Sequence, residues 1–438
     1  MATRFVCKPP GPRAREWIKR DTRVVGPSYP REFDFVFERG RGMYLWDVDG
    51  RRHLDFAAGI AVNNIGHDNP DVVRAVKAQL RKGIHAGFLD MYARLPVEFC
   101  ETLLEHMPAP LNKGRVFLSN SGTESVEAAY KMVKWTTHAP YVHSFAGAFH
   151  GRTMGALSLT NTASKVQKEG FEPFLPARHS PFCNPYRAPC GVSHDCVNGC
   201  LHLFERAIKD GQVGAVFMEP VQGEGGYVVP PREFVKGVRE ACNRHGVYLV
   251  SDEVQAGCYR TGRFLSIENF GVRADVACIS KAIGGGVPLA ATVSIPELQQ
   301  WHPGAHANTF GGNLLACAAG IAALKFMRRE RLGENAKRIG AYMLKRLEKM
   351  KNRYEIIGDV RGLGLMIGIE LVKDRKTKEP AVDARHAVLC DATGKGLVLL
   401  PAGESTIRIC PPLIITKKQA DTGLDILESC FEDLRGAL

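Results

Sequence analysis

Between residues 115 and 294 the chain passes through short apolar stretches that stop at polar residues, with amphipathic stretches between them. The apolar stretches are "RVFLSN" (115–120), "YVHSF" (141–145), "GAVFMEP" (214–220), "VYLVSD" (247–252), "ADVACIS" (274–280) and "LAATVS" (289–294). Runs this short and this apolar fit fully buried strands. Among the intervening stretches, "TESVEAAYKMVKWTT" places Val126, Ala129, Tyr130 and Val133 at helical intervals, and "REFVKGVREACNRHG" (232–246) is an amphipathic helix stopped by Gly246. Strands alternating with helices imply an α/β domain around a largely parallel sheet. Ligands of such sheets bind beyond the carboxyl ends of the strands. The polar residues that close each run are therefore the first candidates for a site.

The pattern changes further along. Residues 314–350 read as one long helix, and after Gly358 come short strands, "LMIGIEL" (365–371) and "TIRIC" (406–410), mixed with a helix over 383–394. This α+β pattern predicts a smaller domain over residues 325–438, beside a large domain over 61–324. Residues 1–60 are assigned to the smaller domain, because two alternating stretches in "GRGMYLWDVDGRRHLDF" flank Asp49-Gly50, a hairpin turn signal. The basic, Pro-containing N-terminus has no apolar h-region and reads as an exposed arm or docking segment. No apolar run approaches the roughly 18 residues of a membrane span, and the chain is expected to be cytoplasmic.

The net charge of +12 comes from 58 basic and 46 acidic side chains spread along the chain without a basic block. This distribution suits acidic metabolites and solubility rather than nucleic acid. Of 13 cysteines, Cys278, Cys317, Cys410 and Cys430 stand singly at apolar positions and read as small hydrophobes. The stretch "CNPYRAPCGVSHDCVNGC" carries Cys183, Cys190, Cys196 and Cys200, with His194 among them. Its spacing matches no common zinc module, so these read as loop cysteines and no metal is expected, with a metal site and disulfides as the alternatives.

Three strand ends carry complementary chemistry. Ser121, Gly122 and Thr123 open a helix, whose unpaired N–H groups and dipole suit a phosphate. Lys281 follows a buried run, where desolvation would lower its pKa and free its amine as a nucleophile. Asp252 ends another buried run with a carboxylate. A phosphate cup, an amine and an acid on one sheet edge are what pyridoxal phosphate requires: an anchor, a lysine for its aldehyde, and an acid for its pyridine nitrogen.

Eight ordered motifs carry the argument further: "DFAAGIAVNNIGHDNP" (55–70), "SNSGTESVEAA" (119–129), "FHGRTMGALSLT" (149–160), "MEPVQGEGG" (218–226), "SDEVQAGCYRTG" (251–262), "ISKAIGGGVPLAA" (279–291), "NTFGGN" (308–313) and "IRICPPL" (407–413). With them the sequence resembles the class III aminotransferases, in the fold-type I group of pyridoxal-phosphate enzymes. The resemblance implies a large domain with a mostly parallel central sheet sandwiched by helices, and a smaller α+β domain. It assigns the Schiff-base lysine to Lys281 and the partner of the pyridine nitrogen to Asp252. Gln255 falls near the ring's phenolic oxygen, Val254 on one ring face and Phe149 on the other, with His150 also at the cofactor. Ser121, Gly122 and Thr123 fall at the phosphate. Thr309 would reach that phosphate from a neighbouring subunit, which implies a homodimer with the site at the interface.

For substrate, the resemblance gives Arg152 a distal carboxylate, Arg408 the α-carboxylate of glutamate, and Glu224 the task of pairing with Arg408 when an ω-amino acid is bound. Ile60 lies at the substrate tail, where an apolar side chain offers nothing to an α-ammonium group. This favours a 4-aminobutyrate-like donor with 2-oxoglutarate as acceptor. Ornithine, acetylornithine or lysine transamination, and racemisation on the same scaffold, are the alternatives. The cysteine-bearing stretch at about 181–200 belongs to none of the matched motifs.

Overall fold

The computed structural model describes residues 10–162, 164–189 and 195–437. Strands β1 (Phe37–Arg41), β2 (Tyr44–Asp47) and β3 (Arg52–Asp55) form an antiparallel set, with the expected turn at Asp49-Gly50 between the last two. The apolar runs that follow become β4 (Arg115–Ser119), β5 (Tyr141–Phe145), β6 (Ala177–Ser180), β7 (Val213–Met218), β8 (Tyr248–Asp252), β9 (Val276–Ile279) and β10 (Ala290–Ser294). These make one seven-stranded sheet in the order β4-β10-β9-β8-β7-β5-β6. All its pairings are parallel except those of β10, which runs against both its neighbours.

Beyond the large sheet lie β11 (Ile357–Leu363), β12 (Met366–Leu371), β13 (Leu397–Val398), β14 (Leu400–Ala402) and β15 (Thr406–Ile409). β13 joins the N-terminal set by parallel pairing with β3, and the other four form an antiparallel sheet in the order β11-β12-β15-β14. The fold is thus mixed α/β, with a parallel-rich main sheet, as expected for fold type I.

Burial explains the main sheet. β7 and β9 are buried at every residue, and each of β5 and β8 is buried beyond its first residue. Strands covered on both faces read as continuous apolar runs. The helix Gly122–Thr137 turns Val126, Ala129, Tyr130 and Val133 into a second cluster with Val142, Phe217 and Val250 of the sheet. The stripe read from the sequence is the face that packs.

One reading needs correction and a second gains detail. The stretch 314–350 is not one helix but two, Leu314–Arg329 and Leu332–Arg353. The break falls at Arg331, whose φ of +51° a right-handed helix cannot contain. The N-terminal arm includes a helix, Pro12–Val24, tied down where Arg13 N and Ala14 N donate to Asp49 at 3.0 and 3.2 Å. A third finding concerns the cysteines. The sulfurs of Cys183, Cys196 and Cys200 converge inside the protein rather than sitting apart on a loop. Cys190 and His194 lie outside the described residues.

Candidate active site

The carboxyl ends of β4, β5, β7, β8 and β9 face one rim, and each hands on a polar group there. Asp252 closes β8 and is only 4% exposed. Its Oδ2 meets Nδ1 of His150 at 2.7 Å, and its Oδ1 accepts from the backbone N of Val254 at 3.0 Å. Both oxygens are thus engaged, so the carboxylate is fixed in direction. The neighbouring Glu253 has another task. It accepts from Ser266 N at 2.6 Å, Ile267 N at 3.0 Å and Ser251 Oγ at 2.8 Å, and burial raises its pKa to about 7. Of the two adjacent acids, Asp252 faces the rim and Glu253 pins a loop.

Lys281 follows β9 with φ at +47°, a backbone state that a side-chain-bearing residue rarely takes. Strain of this kind collects at functional positions. Burial lowers its pKa. Among the described residues no hydrogen bond or ion pair holds its amine, although Glu224, Asp252 and Glu219 are close enough to influence it.

Ser121 caps the helix Gly122–Thr137, exchanging contacts with Glu124. Gly122 is required by close approach. A Cβ there would stand 2.7 Å from Cγ1 of Val254. Thr123 Oγ1 lies 2.8 Å from Thr153 Oγ1. The loop after β5 brings Phe149 and His150, held because Phe149 N donates to Glu219 Oε1 at 2.8 Å.

Glu219, the acid that closes β7, also accepts from Gly223 N at 2.9 Å. One buried carboxylate, its pKa pushed to about 7 by desolvation, therefore locks two rim loops together. Sequence reasoning passed over it, although the signal is the one Asp252 gave: acid directly after a buried strand. Tyr227 was also missed and had no signal. It is fully buried, takes φ of +55°, and donates its hydroxyl to Gln255 Oε1 at 2.8 Å.

The second sheet completes the site. On β15, Ile407 and Ile409 are buried and Arg408 leaves by the other face. Arg408 Nη1 and Nη2 donate to Glu224 Oε1 and Oε2 at 2.8 and 3.2 Å, a two-pronged pair. Its Nε donates to Pro401 O at 2.7 Å, and Nη1 lies 3.5 Å from Gln255 Oε1. Although burial acts to raise the pKa of Glu224, the cations Arg408, Lys281 and Arg152 hold it below the usual carboxylate range. Arg152 itself is exposed. Its guanidinium lies 5.6 Å from the Phe149 ring, and among the described residues it has no ion-pair partner.

Ile60 stands 39% exposed in an unusual turn. Ala58, Gly59, Ile60 and Ala61 all take positive φ, between +47° and +63°. Left-handed backbone costs roughly 1–2 kcal/mol for each residue with a Cβ. The turn persists because Asp55 Oδ1 accepts from Ala57 N and Ala58 N, both at 2.8 Å. Thr309 stays apart from this set. It is exposed on the turn before Leu314, and among the described residues no side-chain hydrogen bond joins it to the rim.

This donor set fits pyridoxal phosphate on three observations. An amine of lowered pKa, Lys281, has no hydrogen-bond or ion-pair partner among the described residues. A helix start is kept open by glycine against Val254. His150 Nε2 is buried and unpaired, while its other nitrogen holds the acid that would meet the ring.

Comparison with known proteins agrees. The family described as aminotransferase class-III matches residues 26–431. The chain is 38% identical to a probable 4-aminobutyrate aminotransferase of Bacillus subtilis, covering 94% of this chain and 97% of that protein. It is 34% identical to an alanine/serine racemase of Pyrococcus horikoshii, over 98% of this chain and 93% of that one. Among solved structures, an amine transaminase from an uncultivated Pseudomonas species, in its pyridoxal-phosphate-bound form, superposes with a TM-score of 0.86. It is 31% identical, over 94% of this chain and 98% of that one.

Proposed function

The chain belongs to the class III aminotransferases, which are pyridoxal-phosphate enzymes, and from that premise we propose that it moves the amino group of an ω-amino acid of the 4-aminobutyrate type to 2-oxoglutarate, giving a semialdehyde and glutamate. The observation that carries this reading is the contrast between two arginines. Arg408 is closed off by Glu224 at 2.8 and 3.2 Å, while Arg152 has no ion-pair partner among the described residues. In this state the open guanidinium is the distal one, so a substrate carboxylate is held away from the reacting carbon. Ile60 offers no partner to a second ammonium group, whose unpaired burial would be costly.

In this reading Lys281 would hold the cofactor covalently through Nζ. Ser121, Gly122 and Thr123 would hold its phosphate, Phe149 and Val254 its ring faces, and Gln255 its phenolic oxygen. Asp252, steadied by His150, keeps the ring nitrogen protonated, since a fixed carboxylate raises the pKa of a nearby cationic acid. When bound, pyridoxal phosphate supplies an electron sink for charge at the amine-bearing carbon. Lys281 Nζ, freed by the incoming substrate amine, would be the group that takes the proton from that carbon. Its lowered pKa supports the role, because a general base works best with a pKa near the working pH. When the keto acid enters, Glu224 releases Arg408, which then takes the α-carboxylate.

The site is read as completed by a second copy of the chain, whose Thr309 would reach the phosphate. Support comes from exposed apolar side chains around it: Phe310 at 58%, Ile84 and Leu89 at 52% each, and Met91 at 61%. Asn313 Nδ2 donates to Ile84 O at 3.2 Å, which joins these segments into one face.

The test is a panel of amino donors with 2-oxoglutarate, read as glutamate formed. We expect 4-aminobutyrate or its homologues to be fastest. Ornithine faster by orders of magnitude would overturn the reading of Ile60. The likeness to the alanine/serine racemase supports a second reading. One amino-acid enantiomer incubated without a keto acid separates the two, since only a racemase yields the mirror form.

A further inference from the structure

We propose that Cys183, Cys196 and Cys200 bind a zinc ion that ties the stretch after β6 to the helix Cys196–Ile208. Cys196 and Cys200 lie four residues apart at the start of the helix Cys196–Ile208 and so share one face of it. Cys183 arrives from the end of β6, next to Phe182, whose ring packs against Phe145 and Phe234 at 5.7 and 5.4 Å. The two elements are thereby fixed against each other before any metal is considered.

The sulfur positions suit the ion. Cys183 Sγ lies 3.3 Å from Cys196 Sγ, and Cys196 Sγ lies 3.8 Å from Cys200 Sγ. All three ligand atoms fall within 4.8 Å of one another. Zinc takes thiolates at about 2.3 Å in tetrahedral array, which puts neighbouring sulfurs about 3.8 Å apart. The shorter pair lies well outside the roughly 2.05 Å of a disulfide. The three residues are 0%, 8% and 0% exposed, so the sulfurs converge at a buried point and supply three of zinc's four tetrahedral positions. Each thiol gives up its proton to solvent on binding, and soft sulfur ligands select zinc over magnesium or calcium.

The segment so fixed does mechanical work between the sheets. Arg187 Nη2 donates to Lys378 O at 2.6 Å, Lys378 Nζ donates to Tyr186 O at 2.6 Å, and Arg187 pairs with Glu370 on β12. Glu370 in turn pairs with Arg361 at 2.7 Å, and Arg361 donates to Gly226 O at 2.6 Å, two residues from Glu224. The ion would steady a clamp that runs from the cysteine segment to the loop carrying the Arg408 partner.

The experiment is elemental analysis of the full chain, purified without chelators or metal columns. About one zinc per chain is expected, as for a single ion on three thiolates. It should be retained on dialysis and released by a mercurial thiol reagent, with a lower melting temperature after release. Cys196→Ser and Cys200→Ser should lose the zinc, while Cys100→Ser, at a half-buried position elsewhere, should keep it. If the variants do not fold, wild-type chain stripped of metal under reducing, anaerobic conditions is titrated with Co(II). A thiolate-to-cobalt charge-transfer band saturating at one equivalent supports the site. Folded wild-type protein that holds no zinc and gives no such band overturns it, as does a disulfide among these three cysteines in protein kept from air.

Discussion

Asp252 and Arg152 both face the rim, and they are held in opposite ways. Asp252 leaves a buried strand, is 4% exposed and has both oxygens bonded, one to His150 at 2.7 Å. Arg152, two residues past that histidine, is exposed, lies over the face of Phe149 at 5.6 Å and has no ion-pair partner among the described residues. The same division holds across the site. Several groups assigned to the cofactor, Ser121–Thr123, Asp252 and Lys281, close or directly follow strands of the main sheet, while Phe149 and His150 sit on the loop after β5. Groups assigned to substrate come from loops and from β15 of the other sheet. The difference teaches that one end of the site is built for fixed geometry and the other for exchange between two substrates. A carboxylate that must let go of Arg408 cannot be pinned as Asp252 is.

The comparison is tested most severely at its rigid end. Lys281→Ala should cost activity by about 10⁴-fold or more, the upper end of what a positioned proton-transfer group contributes. It should also abolish the visible absorbance of the loaded enzyme, measured by scanning purified protein. Undiminished turnover would remove Lys281 from the chemistry. At the exchangeable end, Arg152→Gln should raise KM for the ω-amino donor by about ten- to a hundredfold, the equivalent of roughly 1.5–3 kcal/mol for a charge-assisted bond. KM for 2-oxoglutarate should move far less. Steady-state kinetics with both substrates checks this, and equal shifts would erase the distinction between the two arginines.

The smallest effect sharpens the contrast between adjacent acids. Burial raises the folded pKa of Glu253 to about 7, above its ordinary value of 4.5. The folded state then binds more protons than the unfolded one between these values. Its stabilising contribution is complete below about 4.5 and is lost as pH rises through about 7. Glu219 is pushed the same way, to about 7. Glu253→Gln should therefore flatten part of the decline in melting temperature across that window while leaving kcat nearly unchanged. A steep fall in kcat would show Glu253 to be more than a loop anchor.

Asp252, Lys281 and Ser121–Thr123 were legible because a polar residue after a buried run marks a strand tip, and strand tips converge in a parallel sheet. Glu219 obeys the same rule and was legible in principle. Tyr227 was not, because its contact with Gln255 depends on a positive φ and a loop path that no periodicity encodes. The meeting of Cys183 with Cys196 and Cys200 was hidden for a related reason. β6 and the helix Cys196–Ile208 are packed together by tertiary contacts, whereas the sequence shows only an unfamiliar spacing. The break at Arg331 escaped notice because both flanking stretches are good helix formers.

The reversed hand of Ala58–Ala61 bears on how this protein can be re-engineered. In that turn the direction of side chain 60 is set by its neighbours' torsions and by the grip of Asp55 on the backbone before it. A new pocket wall must therefore be transplanted as a block, from the aspartate through the fourth turn residue. Swapping one amino acid alone keeps the mould and changes only the filling.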